Sequence, residues 1–181
     1  MSVKRKICEP AEIRAAIDRM AAAVIKAFEP PAANSFALVG IYKQGVPLAR
    51  RLGDAIEQQS GFRPELAMLD ISMYRDDFGM HSALPLINET IIPFDMNASR
   101  IILVDDVLSS GRTIRAALDA VTDYGRPELI RLAVLVDRRQ PEYPIRADFA
   151  GIEIDAPPDR KLLVEFAETD GADGIFEVEW R

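Results

Sequence analysis

The sequence predicts an α/β protein: a parallel, twisted sheet with helices on both faces. Two observations carry that expectation. Strand-like and helix-like segments alternate through the middle of the chain, the pattern of parallel crossovers. The strands also read as continuous apolar runs, as in Phe36-Ala37-Leu38-Val39-Gly40-Ile41, rather than as alternating ones. Such runs belong to strands covered on both faces. In sheets of this kind ligands sit beyond the carboxyl ends of the strands, where the strand order reverses.

The elements follow in order. Pro10 opens a helix whose apolar residues Ile13, Ile17, Met20, Val24 and Phe28 recur at helical spacing, and Pro30-Pro31 ends it. After the strand at 36–41, Gly45-Val46-Pro47 starts a second helix with Leu48, Leu52, Ala55 and Ile56 on its buried stripe and Gly61 as its stop. Residues 66–74 read as strand, with an acid inside at Asp70. Residues 76–88, with Gly79, His81 and Pro85, read as a long loop, and 89–94 as a strand pairing back on 66–74. A buried strand at 100–104 leads to a helix over 112–124, stopped by Gly125-Arg126-Pro127. Another apolar strand covers 128–136, and short strands at 162–166 and 175–180 follow Pro-interrupted loops.

The whole chain sets limits. Its 181 residues suit one domain, and 49% hydrophobic with 28% charged residues is an ordinary globular composition. No apolar run approaches the ~20 residues of a membrane span. Net charge is −7, which argues weakly against indiscriminate polyanion binding. One cysteine, Cys8, cannot form an intrachain disulfide, so a reducing cytoplasm is expected.

The segment Ile101-Ile102-Leu103-Val104-Asp105-Asp106-Val107-Leu108-Ser109-Ser110-Gly111-Arg112-Thr113 carries the chemistry. A buried strand delivers two acids to the sheet rim, and a loop of hydroxyls and glycine leads into a helix. Carboxylates suit sugar hydroxyls, and a glycine-containing loop at a helix N-terminus suits a phosphate monoester. A ribose 5-phosphate offers both groups. Two adjacent carboxylates repel, so at least one pKa should rise unless something binds the pair. The simpler reading, a pair of acids and a Ser/Thr cap opening the next helix, leaves the two serines, the glycine and the threonine unexplained together.

Residues 101–113 resemble the phosphoribosyl-diphosphate-binding motif of the type I phosphoribosyltransferases. Asp70 to Asp77, Leu132 to Arg138 and Pro144 to Phe149 further resemble one subfamily, the bifunctional pyrimidine operon attenuator and uracil phosphoribosyltransferase. The resemblance covers nearly the whole chain. It implies the type I fold with a small hood, from about 138–181 with an N-terminal contribution, and a mobile loop at about 76–90. It implies transfer of a phosphoribosyl group to uracil, giving UMP and diphosphate, with Mg²⁺ carried on the substrate rather than held directly by protein ligands.

On that resemblance the ribose 5-phosphate falls to Asp105, Asp106, Val107, Leu108, Ser109, Ser110, Gly111, Arg112 and Thr113, with Asp105 and Asp106 catalytic. The diphosphate falls to Lys43, Gln44, Gly45 and Arg75, and uracil to Val136, Asp137 and Arg138. The chain departs from the subfamily in two places. Lys43-Gln44 stands where Thr-Arg is usual, and Arg139-Gln140 follows Arg138 where Gly-His is usual. Gly40 to Gly45 has P-loop spacing, but Val46-Pro47 replaces the Lys-Ser/Thr that nucleotide hydrolysis needs. Ser109 replaces the acid with which hypoxanthine-guanine transferases engage a purine, which disfavours that base. The expected partners are uracil, phosphoribosyl diphosphate, UMP or UTP, an mRNA leader, and further copies of the chain as a homodimer or larger homo-oligomer. Lys4-Arg5-Lys6, Arg14, Arg19, Arg138-Arg139 and Arg146 are the candidate RNA contacts, and only the first is a dense run.

Overall fold

The apolar runs do become buried parallel strands. In the computed structural model, which describes residues 4–29, 35–76, 88–157 and 159–179, five strands form one sheet in the order β3-β2-β4-β5-β6. They are β2 (Ala37–Ile41), β3 (Glu65–Leu69), β4 (Arg100–Leu108), β5 (Leu129–Asp137) and β6 (Phe149–Glu153). Every pairing among them is parallel.

Helices α1 (Pro10–Ala27) and α2 (Gly45–Ser60) cover one face, and α3 (Arg112–Tyr124) covers the other. Successive residues of a strand point to opposite faces. Ile102 and Val104 accordingly pack with Met20, Leu48 and Leu52, while Ile101 and Leu103 pack with Ile114, Ala117 and Val121. The α1 start closes a capping box in which Glu9 and Glu12 each take the other's backbone N–H. The glycine stops fall where expected: Gly61 closes α2 with φ 73°, and Gly125 follows α3.

A second sheet, β1-β8-β7, is antiparallel and forms the hood. It joins β1 (Lys4–Cys8), β7 (Arg160–Glu165) and β8 (Gly174–Glu179), with the short helix α4 (Ala167–Asp170) between the last two. Leu162, Val164, Phe166 and Ile175 anchor it in the core shared with α1 and α2.

Four expectations are corrected. The strand read over 66–74 ends at Leu69, and Ser72–Tyr74 forms a 3-10 turn instead. Asp70 ends it by accepting the Ser72 N–H at 2.6 Å, which bends the chain. The strand read over 89–94 reduces to a single antiparallel bridge between Met68 and Ile91. Strand β4 runs to Leu108 rather than stopping at Val104. Strands β1 and β6 were not anticipated, because neither shows alternation or a long apolar run. The loop read at about 76–90, His81 included, lies mostly outside the described residues, as does Trp180.

Candidate active site

The β4 strand outruns its neighbour β2. Their last paired residues are Gly40 and Val104, whereas beside β5 the β4 ladder continues to Leu108 opposite Asp137. From β2 the chain passes through α2 to β3 on one side; from β4 it passes through α3 to β5 on the other. A crevice opens where the two paths diverge, at the carboxyl ends of β2 and β4. There the structure holds a cleft of ≈ 650 Å³, with Leu162 and Leu163 of the hood as one wall.

Asp105 and Asp106 stand in that cleft, inside β4 rather than past its end. Asp105 is only 6% exposed. Burial and the Asp106 carboxylate push its pKa well above the ordinary carboxylate range, against the weaker opposing pull of Arg75. Burial also raises Asp106, opposed by nearby amides and the charge of Lys161. Burial thus raises both acids, the neighbouring charge adds to the rise at Asp105, and the hydrogen bond with Asp105 moderates it at Asp106.

The loop after β4 turns through Gly111, whose φ of 93° is a left-handed value that favours glycine. Ser109 and Thr113 face the cleft, as do Asp105, Asp106 and Val107. Ser110, Gly111 and Arg112 lie behind them, under the segment 141–145. The Glu142 and Tyr143 N–H groups donate to the Ser110 carbonyl at 2.9 and 3.1 Å. The Arg112 side chain faces outward, to Glu142 at 2.9 Å and Asp76 at 3.1 Å, so it is not aimed at a phosphate. Leu108 is buried in the α3-side core.

The loop after β2 is close-packed. A Cβ on Gly45 would lie 2.3 Å from the Val104 carbonyl oxygen, and one on Gly40 2.8 Å from the Gly45 carbonyl oxygen. Gly45 thus lets the start of α2 lie against β4, and it does not face the cleft. The Tyr42 N–H donates to the Leu69 carbonyl at 3.0 Å, and Lys43 stands exposed at the cleft edge opposite the acids. Gln44 also borders the cleft, but its amide is engaged by the hood: Nε2 donates to Asp170 at 2.8 Å, and Oε1 lies 3.0 Å from the Thr169 hydroxyl oxygen. Arg75, beyond the 3-10 turn, completes this side.

At the far side Arg138 is nearly buried. It donates to Ser109 Oγ at 3.2 Å and to the carbonyls of Ala156 and Pro157 at 3.2 and 3.1 Å. Asp137 instead lines an adjoining cavity of ≈ 330 Å³, where its carboxylate accepts the Arg139 N–H at 2.7 Å. The Val136 side chain is fully buried in the α1/α2 core, so the expectation that it faces a base is corrected. An inward β5 position packs against the helices whatever its neighbour does.

Comparison with known proteins agrees with this geometry. Residues 9–161 match the family model described as the phosphoribosyl transferase domain. The chain belongs to that family. This phosphoribosyltransferase is 45% identical to the bifunctional protein PyrR of Roseiflexus sp. (strain RS-1), covering 97% of this chain and 95% of that one. It is also 45% identical to the bifunctional protein PyrR of Deinococcus radiodurans, over 94% and 92% of the two chains. The hypoxanthine phosphoribosyltransferase of Trypanosoma cruzi shares the fold, with a TM-score of 0.71 at 16% identity over 98% and 97% of the chains. So does a hypoxanthine-guanine phosphoribosyltransferase of Bacillus anthracis, with a TM-score of 0.71 at 15% identity over 96% of each chain.

Asp70, Asn88 and Lys161 are among the residues of the phosphoribosyltransferase cleft that were missed as site residues. Asp70 was seen only as an acid within a strand. Its carboxylate takes the Asn88 N–H at 2.6 Å and side-chain amide at 3.0 Å, besides the Ser72 N–H, and so ties Asn88 to the turn that follows β3. Burial raises its pKa, but these hydrogen bonds prevail and hold it below the usual range. Asn88 and Lys161 enter the cleft from segments with no motif to mark them. Among the described residues no group of three or more His, Cys, Asp or Glu side chains could hold a metal ion. Nor is any described helix long and apolar enough to cross a membrane.

Proposed function

We propose that this phosphoribosyltransferase moves a 5-phosphoribosyl group from its 1-diphosphate to N1 of uracil, yielding UMP and diphosphate. The observation that carries the ribose end is the Asp105–Asp106 pair, raised in pKa on the cleft rim and a turn away from Ser109 and Thr113. Ribose hydroxyls donate to carboxylates, so the sugar supplies donors beyond the few backbone amides that reach the pair. The phosphate then falls to the start of α3, where first-turn N–H groups and the helix dipole favour an anion by ~0.3–1 kcal/mol.

The mechanism follows from charge. As the bond from C1 to the diphosphate breaks, positive charge builds on the ribose and negative charge on the leaving group, much as in glycoside hydrolysis. Asp105 and Asp106 hold the ribose and temper its positive charge. Lys43 and Arg75 border the cleft where they can receive the departing diphosphate. Mg²⁺ would come with the phosphoribosyl diphosphate and would offset the negative charge of the departing diphosphate. A hard cation that keeps several of its waters suits a cleft lined by Asp105 and Asp106, which would face it without forming a dedicated protein cage.

Ser109 supports a 4-oxo pyrimidine. Its oxygen accepts from Arg138, so its proton is left to donate to a base carbonyl, and it cannot take a proton from a purine nitrogen. Likeness to bifunctional PyrR proteins favours a second role, a UMP- or UTP-responsive regulator acting on an mRNA leader, with the chain as a cytoplasmic homodimer or larger assembly. We read residues 1–181 as one domain. For RNA, the one dense basic run is already neutralised: Lys4 pairs with Glu165, Arg5 with Glu177 and Lys6 with Glu9. Arg139 pairs likewise with Glu153 at 2.9 Å, so an RNA surface has to draw on Arg14, Arg19 and Arg146.

The test is a base screen with phosphoribosyl diphosphate and Mg²⁺, scoring diphosphate release with uracil, hypoxanthine, guanine, adenine and orotate. Uracil alone should turn over. Turnover with a purine, or UMP binding with no turnover, would overturn the proposal. Leader-RNA binding that UMP strengthens and salt steeply weakens would establish the regulator.

A further inference from the structure

We propose that Thr169 and Asp170 of the hood, acting through Gln44, are positioning residues for the diphosphate loop, and that Gln44 is not itself a diphosphate ligand. The inference rests on the reading above that Lys43, in the loop after β2, receives the departing diphosphate. Gln44 occupies the place of an arginine in the subfamily pattern, yet its amide Nε2 is committed to Asp170 of the hood, with Oε1 set beside Thr169. Its partners are themselves anchored. Thr169 Oγ1 donates to Asp170 at 2.6 Å, and Asp170 also takes the Phe166 N–H at 3.0 Å.

The hood turn is in turn fastened to α2. Arg51 donates to both oxygens of Glu168 at 2.8 and 2.5 Å and to both oxygens of Asp173 at 2.7 Å, and it lies 4.6 Å over the Phe166 ring. Paired, bidentate guanidinium contacts of this kind fix orientation as well as distance. A closed ring results, from Gln44 to Thr169 and Asp170, through Phe166 to Arg51, and back along α2 to Gly45. Lys43 sits between two fixed points, the Tyr42 N–H on the Leu69 carbonyl and the latched Gln44. The latch holds the main chain so that the Lys43 ammonium faces the leaving group. One charge presented from a fixed loop thus replaces the arginine that the subfamily carries at this place.

A swap of partners tests this. Gln44→Glu sets a carboxylate against Asp170 and should weaken magnesium diphosphate binding, read by calorimetry, and raise the KM for phosphoribosyl diphosphate, each by roughly tenfold or more. The KM for uracil should not move. Adding Asp170→Asn restores a donor–acceptor pair, and both values should return to within about threefold of the parent protein. Thr169→Val should give a smaller loss of the same kind, with the thermal midpoint measured in parallel. A Gln44→Glu defect that Asp170→Asn does not relieve would make Gln44 a direct ligand and overturn the proposal. So would a Gln44→Glu protein that binds diphosphate normally, or a parent protein that binds none. If uracil proves not to be the substrate, the calorimetric arm still reads the latch by itself.

Discussion

Asp70 directly follows β3 and Asp105 lies within β4, two strands of one sheet with β2 between them, and both are nearly buried, at 8% and 6% exposure. Their protonation equilibria nevertheless move in opposite directions. Asp70 is surrounded by N–H donors from Ser72 and Asn88 and is held low; Asp105 faces the like charge of Asp106 and is pushed high. Burial is common to both, so the donors decide the outcome. A carboxylate whose hydrogen bonds the fold supplies is part of the scaffold. One that the fold leaves against another acid is waiting for donors from outside.

The hardest blow to this contrast comes from neutralising the pair. Asp105→Asn with Asp106→Asn should lower kcat/KM for phosphoribosyl diphosphate by ~10³ or more, because charge stabilisation at the ribose is lost. The same change should leave the thermal midpoint unchanged or higher, since it removes a buried repulsion. A variant that loses activity only because it unfolds would break the comparison. Asp70→Asn should do the reverse. It removes charge-assisted bonds of ~1.5–3 kcal/mol in total and lowers the midpoint by a few degrees, with a smaller loss of turnover.

Gly45→Ala separates geometry from charge. Its Cβ would meet the Val104 carbonyl oxygen at 2.3 Å, so α2 must shift, at ~1–3 kcal/mol measured by denaturant unfolding. Ser109→Ala is the mildest change, removing one donor of ~1 kcal/mol. It should raise the KM for uracil about fivefold while sparing phosphoribosyl diphosphate.

The contrast also fixes the signs of the pH dependence. Asp70, low in the folded state, gives stability that is present above its unfolded pKa and is lost as pH falls through the folded value. Asp105 and Asp106, high in the folded state, bind more protons folded than unfolded between the two values. Stability of the ligand-free protein therefore falls as pH rises through that window. The paired asparagine variant should lack that falling limb in midpoints measured from pH 4 to 8.

What could be read from sequence follows the range of the interactions. The acid pair, its hydroxyl loop and α3 are contiguous, so their chemistry stands in one string of residues. The two helix stops were legible for the same reason, since a glycine acts on its own turn. Asp70 was opaque because its decisive partner, Asn88, is 18 residues away. Gln44 is completed by Thr169 and Asp170, more than 120 residues on. Strand β1 was hidden for a related reason. Lys4-Arg5-Lys6 looks like a solvated basic run until Glu165 and Glu177 are placed beside it. Val136 was misassigned because a motif names positions in a string, while strand alternation decides which side chains reach a cleft.

Proton release on binding ribose 5-phosphate tests the account most directly, using calorimetry near neutral pH in buffers of different ionisation enthalpy. Hydroxyl donors reaching Asp105 and Asp106 should lower their pKa values, so the parent protein should release more protons than the paired asparagine variant, which should also bind more weakly. Equal proton release and equal affinity in the two proteins would mean that the acids do not hold the sugar.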